Sequence, residues 1–312
     1  MNSPTPTTHP TDTFIQTRDL GRSFGSRDVL RGLTLDLPRA GTIGLVGRNG
    51  VGKTTLMGIL AGQLRASTGS ITVDGRDPFD DAAVMDRVCF TGVDVLYPPR
   101  WSVDTVLTVA AARYPYWDAD LAESLAGRFG LARFGQMASL STGHRSLVSV
   151  VVGLASRAPL TLLDEPYSGL DVQRRRLFYE ILAEEQAAAP RCILLSTHHL
   201  ADAGRSVDRL LILAGDGSLA HDLDAAEFDE RVVRLTGSTA LMHDVLDELR
   251  GGRDGTAGDL PQVVAMRDVA GTMSLDVDLR GATVPQRPGV TVQHLDAEDT
   301  VIGLTGLAGE VQ

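Results

Sequence analysis

The sequence predicts an α/β fold organised around a parallel sheet that is buried on both faces. Two runs, 160–163 and 192–195, are almost entirely apolar, and the segment 172–188 between them has helical spacing. A third apolar strand, 42–46, leads directly into a glycine-rich loop, after which helical spacing resumes over 53–64. Apolar strands that alternate with helices are typical of a parallel sheet covered by helices on both sides.

The remaining elements are predicted from turns, caps and spacing. Short strands separated by turns precede the glycine-rich loop from residue 14 onward, and further strands follow it over 71–92. Helical patterns cover 103–135, with Asp118 as a helix cap inside that stretch, and 141–157. The composition changes after residue 222, where short strands alternate with two helical segments. We therefore predict three parts: a tail over 1–13, a large domain over 14–220 and a small α+β accessory domain over 221–312.

Composition and charge narrow the classes of function. The 312 residues suffice for two domains, and the formal net charge of −11 argues against nucleic acid as a partner, because phosphate binding needs Lys and Arg. Both cysteines, Cys89 and Cys192, lie in apolar runs, as buried thiols do in a reducing compartment. The Thr- and Pro-rich start predicts a disordered tail and not a signal peptide. No apolar run reaches the roughly 20 residues of a membrane-spanning helix, so a membrane role requires a partner.

The strongest motif is the loop between the third apolar strand and its helix. It fits G-x-x-x-x-G-K-[ST], and its backbone amides and helix N-terminus are suited to cradle phosphates. Lys53 is the sole lysine among 29 Lys and Arg, at a position that needs a compact charge on a flexible stem. A glycine-rich turn that happens to precede a lysine is the alternative, which the strand–loop–helix context disfavours. The predicted nucleotide-binding residues are Gly47, Arg48, Asn49, Gly50, Val51, Gly52, Lys53, Thr54 and Thr55.

Two adjacent carboxylates end the apolar strand 160–163. Asp164, with the Thr54 hydroxyl, is predicted to hold Mg²⁺, and Glu165 to orient and polarise an attacking water. Alone, such a pair is more often the start of a solvated loop. Together with the phosphate loop, it predicts ATP hydrolysis.

At this point the sequence resembles the nucleotide-binding domains of ATP-binding-cassette (ABC) transporters, over about 14–220. Leu140 to His144 stands where that family has its L-S-G-G-Q signature, and Asp164-Glu165-Pro166 follows about twenty residues later. Ser168 to Asp171 resembles the D-loop, and Ser196-Thr197-His198 resembles the switch-histidine segment. Phe24 stands where the family stacks an aromatic on adenine, although it is also open to the interpretation of a core aromatic.

The resemblance implies a fold and a mode of action. The fold is a P-loop NTPase (RecA-like) core with an N-terminal antiparallel β subdomain and a helical subdomain that carries the signature. Two cassettes, as a homodimer or a heterodimer, sandwich two ATP molecules. The signature residues act in trans, and Asp171 communicates across the interface, while His198 faces the γ-phosphate. These signature residues are Ser141, Thr142, Gly143 and His144, of which Ser141 and Gly143 face the phosphate.

Two departures from the family pattern affect what can be carried over. Thr142 replaces the first signature glycine, and His144 replaces the usual glutamine. The Q-loop glutamine is absent, and in the segment 90–97 we take Asp94 as its polar equivalent. In the family the Q-loop glutamine couples the site to Mg²⁺ and to the membrane partner. Its absence therefore affects how much of that coupling the resemblance implies for this chain.

The resemblance points to the ATP-binding and ATP-hydrolysing subunit of a bacterial transporter, located on the cytoplasmic face of the cell membrane beneath a separate integral-membrane permease. A weak similarity around Trp117 and 295–306 favours ATPases of drug or antibiotic exporters, hence export, although Trp117-Asp118 is equally well interpreted as a helix entry with a buried aromatic. The alternative is a soluble ABC ATPase that acts on a protein or nucleic-acid assembly, which the single cassette and the acidic charge disfavour. A binding regulator without turnover is disfavoured by the presence of both Glu165 and His198.

Overall fold

In a computed structural model of the chain, the described residues are 13–92, 95–133, 135–197, 206–251, 260–283 and 287–305. They form two compact units, and the boundary between these units along the chain falls between Asp222 and Leu223. The predicted tail lies, except for its last residue, outside the described residues. No helix in the described part of the chain combines the length and apolar character needed to cross a membrane.

The first unit contains two sheets and six α-helices among its described residues. Its strands are β1 Thr13–Phe24, β2 Arg27–Pro38, β3 Gly41–Val46, β4 Thr68–Val73, β5 Val88–Gly92, β6 Leu160–Asp164, β7 Cys192–Thr197, β8 Arg209–Leu213 and β9 Leu219–Asp224. Its helices are α1 Lys53–Leu60, α2 Ala82–Met85, α3 Val103–Arg113, α4 Ala119–Arg128, α5 Thr142–Ala155 and α6 Val172–Ala188, with a 3-10 turn at Met137–Ser139.

The six-stranded sheet has the order β5-β6-β7-β3-β8-β9, and its pairs from β5 through β8 are parallel. Strands β6 and β7 are buried at every position, which explains why both are almost entirely apolar. In a parallel sheet the carboxyl ends of all strands meet at one edge. The ends of β3, β6 and β7 are therefore neighbours, and this adjacency builds the site. Strands β8 and β9 lie in a stretch for which we had predicted no strand.

The three-stranded sheet β2-β1-β4 is antiparallel and is the N-terminal β subdomain that the resemblance implies. Its inward side chains share one apolar core with β3 and α1, including Leu20, Leu33, Leu45 and Met57. Helix α1 ends at Leu60, earlier than predicted, because Gly62 turns the chain with a φ of 71°. The α/β fold class with a P-loop NTPase core is confirmed.

Helices α3 to α5 form the predicted helical subdomain. Asp118 caps α4, as predicted, by accepting the Leu121 amide at 2.9 Å. Ser102 and Ser141 cap α3 and α5 in the same manner. Both cysteines are buried free thiols, and burial raises the pKa of Cys192 to about 12.

The second unit, from Leu223 onward, is a small α+β structure, as predicted. Its elements are α7 Ala225–Arg231, β10 Val232–Ser238, α8 Thr239–Gly251, β11 Gln262–Val269, β12 Thr272–Asp278, β13 Thr291–His294 and α9 Ala297–Leu304. The antiparallel sheet has the order β11-β12-β10-β13. Its core packs α8 against the sheet, with Val233, Leu235, Val245 and Leu275 among the buried residues.

Candidate nucleotide-binding site

The phosphate loop connects β3 to α1 and is shaped by its glycines. Gly50 and Gly52 have φ values of 77° and 119°, in the region that favours glycine. A Cβ atom at residue 52 would also lie 2.6 Å from the Leu30 side chain, so the loop has no room for one. Gly52 begins α1 without a side-chain cap, and a helix N-terminus of this kind is suited to an anion.

Lys53 lies within this loop. Its side chain is 6% exposed, and its Nζ donates to the Gly47 carbonyl at 2.7 Å and to the Arg48 carbonyl at 3.3 Å. The Lys53 ammonium is also 3.7 Å from Glu165 Oε1. The one lysine of the chain is thus a buried cation between the phosphate loop and the acidic pair.

Asp164, at the end of β6, is held on both carboxylate oxygens. Its Oδ2 accepts from the Thr54 hydroxyl at 2.5 Å, and its Oδ1 accepts from the Ser196 hydroxyl at 2.5 Å. Asp164 is 6% exposed. The Thr54 hydroxyl and the Asp164 carboxylate are hard oxygen donors, and Mg²⁺ at phosphate sites uses one or two such protein ligands with water and phosphate oxygens. This pair therefore fits Mg²⁺. The described residues contain no group of three or more His, Cys, Asp or Glu placed to hold a metal ion by themselves.

Glu165 has an unusual backbone conformation for a residue with a side chain, with a φ of 48°. Its amide donates to Ser196 Oγ at 2.8 Å, and its Oε2 accepts from the Tyr167 hydroxyl at 3.0 Å. Left-handed backbone at a non-glycine residue costs about 1–3 kcal/mol and concentrates at functional sites. The hydrogen bonds from the Glu165 amide and from Tyr167 hold the Glu165 carboxylate beside the Lys53 ammonium.

Ser196 and Tyr167 belong to this site, although we had not predicted a role for either. Ser196 is fully buried and bonds to both acidic residues. The available signal for Ser196 was that β7 ends in two polar residues, Ser196 and Thr197, beside the strand that ends in Asp164. The signal for Tyr167 was its position two residues after Glu165.

The phosphate loop and the acidic pair line a cleft of about 400 Å³. The lining residues are Arg27, Val29, Asn49, Gly50, Gly52, Lys53, Thr54, Thr55, Asp164 and Glu165. Eight of them were predicted, and Arg27 and Val29 were not. Of the other loop residues, Gly47 and Arg48 supply carbonyls to Lys53, and the Val51 side chain packs in the apolar core.

Phe24 lies at the end of β1, with Cα paired to that of Arg27, which lines the cleft. Phe24 is 47% exposed, which rules out the alternative of a core aromatic. The Arg22 guanidinium lies 4.4 Å from the centre of its ring. Phe24 is not itself among the residues that line the cleft.

The signature segment lies at the start of α5. Ser141 caps this helix by accepting the His144 amide at 3.2 Å. A Cβ at residue 143 would lie 2.3 Å from the Gly169 carbonyl oxygen, so Gly143 brings the signature against the D-loop. Asp171, the last D-loop residue, caps α6 by accepting the Arg174 amide at 2.8 Å. Thr142 is exposed and accepts from Arg145 at 3.2 Å. Two predicted residues, Asp94 and His198, lie outside the described residues.

Known proteins of one family are similar to this chain. The ABC transporter family matches residues 30–168. A sulfonate-import ATP-binding protein of Nocardia farcinica is 36% identical over 67% of this chain and 83% of its own length. A Nod factor export ATP-binding protein of Cupriavidus pinatubonensis is 30% identical over 76% and 74%. A solved ATP-binding subunit of an ABC transporter covers 70% of this chain and 92% of its own, with a TM-score of 0.61 and 25% identity.

The chain therefore belongs to the ATP-binding subunits of ABC transporters. It binds ATP and is an ATPase whose activity is coupled to transport.

Proposed function

We propose that this chain powers a separate integral-membrane permease, in the export direction, by Mg²⁺-dependent ATP hydrolysis in a dimer of cassettes. The observation that carries the ATPase assignment is the convergence of Lys53, Thr54, Asp164 and Glu165 on one cleft. Lys53 and Thr54 begin α1, whereas Asp164 and Glu165 stand at the end of β6, and the fold brings these two distant segments together.

The binding step follows from the Lys53 contacts. An ammonium has three donors, and Nζ now uses the Gly47 and Arg48 carbonyls. ATP phosphates in the loop offer stronger, charged acceptors. Thr54 and Asp164 would hold Mg²⁺ beside them, and that ion supplies charge neutralisation at the phosphoryl oxygens.

The hydrolytic step is assigned to Glu165. Tyr167 holds its Oε2, and the Ser196 hydroxyl anchors its amide. The Glu165 carboxylate is proposed to orient water for in-line attack. His198 is proposed to contact the γ-phosphate, as the resemblance implies.

The second ATP contact is proposed to come from another cassette, either a second copy of this chain or a different one. Ser141 is exposed at the start of α5, where backbone amides favour an anion. Gly143 and Asp171 lie in the same patch, since α5 and the D-loop pack together. Adenine is proposed to stack on Phe24.

The permease is proposed to contact the segment after β5, which places the chain at the cytoplasmic face of the membrane. Leu96 in that segment is 88% exposed, an exposure that is unfavourable for leucine in water. The export direction rests on the sequence similarity around Trp117 and 295–306. The Nod factor export protein aligns with 76% of the chain at 30% identity, and the sulfonate importer aligns with 67% at 36% identity.

Variants at two residues test the ATPase assignment. Glu165→Gln keeps the side-chain shape and removes the carboxylate base, so turnover should fall by about 10²–10⁴-fold while an ATP-dependent dimer accumulates on size-exclusion chromatography. Lys53→Ala and Lys53→Arg should both lose turnover, because a forked guanidinium does not replace a compact ammonium.

Glu123→Gln changes an exposed residue of α4 and serves as the control, with turnover and elution unchanged. Wild-type turnover in folded Glu165→Gln would contradict the site. A Glu165→Gln variant that stays monomeric at saturating ATP would mean either that the altered signature, 140–144, does not close a symmetric sandwich or that the second cassette is a different chain. Mixing with that chain separates the two explanations.

The permease assignment has its own test. Co-expression with a candidate integral-membrane permease should raise ATP turnover. Leu96→Glu should remove that stimulation without changing the basal rate of ATP turnover. Loss of the basal rate in this variant, or stimulation that survives it, would contradict the contact.

A further inference from the structure

The signature segment contains a contact that the proposed function does not require. His144 Nδ1 lies 2.8 Å from Ser141 Oγ, and His144 Nε2 lies 3.5 Å from Arg174 Nη2. Arg174 is in the first turn of α6 and its amide is held by Asp171. A line of contacts therefore joins the D-loop to the signature serine through an imidazole, at the position where the family resemblance implies glutamine.

The chemistry of the partners assigns the imidazole proton. A guanidinium only donates hydrogen bonds, so Nε2 of His144 faces Arg174 as an acceptor. The ring is then neutral, with its proton on Nδ1, because the tautomer follows the partner of the other nitrogen. The nearby Arg145 does not compete for the ring, since it donates to the Leu140 carbonyl at 2.7 Å and to the Thr142 hydroxyl.

This tautomer determines what Ser141 can do. A serine hydroxyl has two acceptor lone pairs and one donor. Oγ of Ser141 accepts the His144 amide at 3.2 Å and the Nδ1–H at 2.8 Å, so both accepting positions are used. The remaining capacity is the O–H itself. Ser141 is exposed, and its hydroxyl is left to donate outward, which suits a phosphate oxygen that can only accept.

We propose that His144 and Arg174 are positioning residues that fix the Ser141 hydroxyl as a hydrogen-bond donor toward the γ-phosphate of ATP held by the partner cassette. The inference rests on the proposed function, because the phosphate reaches Ser141 only in a dimer. Arg174 also ties this orientation to the D-loop, since its guanidinium lies 4.0 Å from the Asp171 carboxylate.

The first test reads the tautomer without nucleotide. Long-range ¹H–¹⁵N NMR of the ¹⁵N-labelled full chain separates Nδ1–H from Nε2–H imidazoles, and the His144 signals are those lost in His144→Asn. We expect the neutral Nδ1–H form in the wild type and a shift toward Nε2–H in Arg174→Ala. A wild-type His144 in the Nε2–H form would overturn the proposal.

The second test separates turnover from binding. Asparagine places an amide N–H close to the position of Nδ1, whereas alanine has no donor. His144→Ala and Arg174→Ala should lower kcat by about tenfold, the effect of one hydrogen bond. His144→Asn should stay within about threefold of the wild type. ATP affinity of the isolated cassette should be unchanged in all three, because the phosphate loop is intact.

His243→Gln, at an exposed histidine of α8, is the matched control and should leave kcat unchanged. A wild type that does not hydrolyse ATP would contradict the proposed function. If the wild type hydrolyses ATP and His144→Ala has the same kcat as the wild type, this inference alone is overturned.

Discussion

One side chain, that of Ser196, holds both residues of the acidic pair, Asp164 and Glu165, through hydrogen bonds. The Ser196 hydroxyl donates to Asp164 Oδ1 at 2.5 Å and accepts the Glu165 amide at 2.8 Å. One side chain from β7 thereby orients the two consecutive carboxylates of the neighbouring strand. This anchoring offsets the cost of the left-handed backbone at Glu165, and it leaves the Glu165 side chain to be oriented by its other contacts.

Tyr167→Phe should reduce turnover with little effect on ATP binding. The ring is 2% exposed and would stay packed, but the donor at 3.0 Å from Glu165 Oε2 would be lost. We expect kcat to fall by about three- to tenfold, the scale of one hydrogen bond of roughly 1 kcal/mol, with the ATP dissociation constant unchanged. Steady-state ATPase assays and nucleotide titration measure the two quantities.

Tyr179→Phe is the matched control, since Tyr179 is a buried tyrosine of α6 that does not line the cleft. An unchanged kcat in Tyr167→Phe, or an equal loss in Tyr179→Phe, would show that Tyr167 does not orient the carboxylate.

At the scale of elements, the helices of the first unit begin in two ways. Helices α3 to α6 start at Ser102, Asp118, Ser141 and Asp171, whose side chains accept backbone amides. Helix α1 starts at Gly52 without a side-chain cap. A cap satisfies the first amides from within the chain, whereas an uncapped N-terminus suits phosphate. Helix α1 therefore presents uncapped backbone amides to the phosphates of the ATP that this chain itself binds.

Asp118→Ala should destabilise the helical subdomain by about 1 kcal/mol at pH 7, the usual effect of losing an N-cap. The Leu121 amide, followed by Arg157, lowers the pKa of Asp118. A carboxyl group whose pKa is lower in the folded state stabilises the folded protein at pH values above its unfolded-state pKa of about 3.9. This stabilisation is lost as the pH falls through the folded-state pKa. The difference in the free energy of unfolding between the wild type and Asp118→Ala should therefore shrink below about pH 4.

Urea unfolding followed by tryptophan fluorescence measures this difference, because Trp101 and Trp117 directly precede the starts of α3 and α4. Glu123→Ala, exposed on α4, should change stability by less than about 0.5 kcal/mol. A gap between Asp118→Ala and wild type that widens as the pH is lowered would contradict the cap.

At the scale of the whole molecule, the end of the first unit is marked by an ion pair. Arg209 of β8 donates to both carboxylate oxygens of Asp222 in β9 at 2.5 Å, and Arg209 is only 14% exposed. Removing Asp222 would leave a largely buried guanidinium without its carboxylate. Asp222 is the last residue of the first unit, two residues beyond the boundary predicted near residue 220.

A chain that ends after Asp224 should fold and bind ATP, whereas one that ends after Leu219 should be less stable by about 1–3 kcal/mol, because the Arg209 guanidinium loses its carboxylate acceptor and keeps the Asp36 carbonyl. Thermal unfolding with and without Mg-ATP compares the two. Asp222→Asn in the full chain is the control and should reproduce part of the loss. Insolubility of the longer truncated chain, with no ATP binding, would mean that the first unit does not fold alone.

The sequence by itself determined the parts of this protein that depend on neighbours a few residues away. The phosphate loop follows from the glycines before Lys53, and the predicted cap Asp118 acts on the amide three residues later. Apolar runs determined the buried strands β6 and β7. Each of these signals lies within a single element, so periodicity and residue type suffice to recognise it.

Only the tertiary structure decided which distant side chains share the site. Ser196 meets Asp164 because β7 lies beside β6, and strand order is not encoded in any single strand. His144 meets Arg174 because Gly143 packs on Gly169, a close approach that depends on two segments folding together. Such contacts form between residues tens of positions apart, and they depend on the packing of the whole core, which local pattern does not contain.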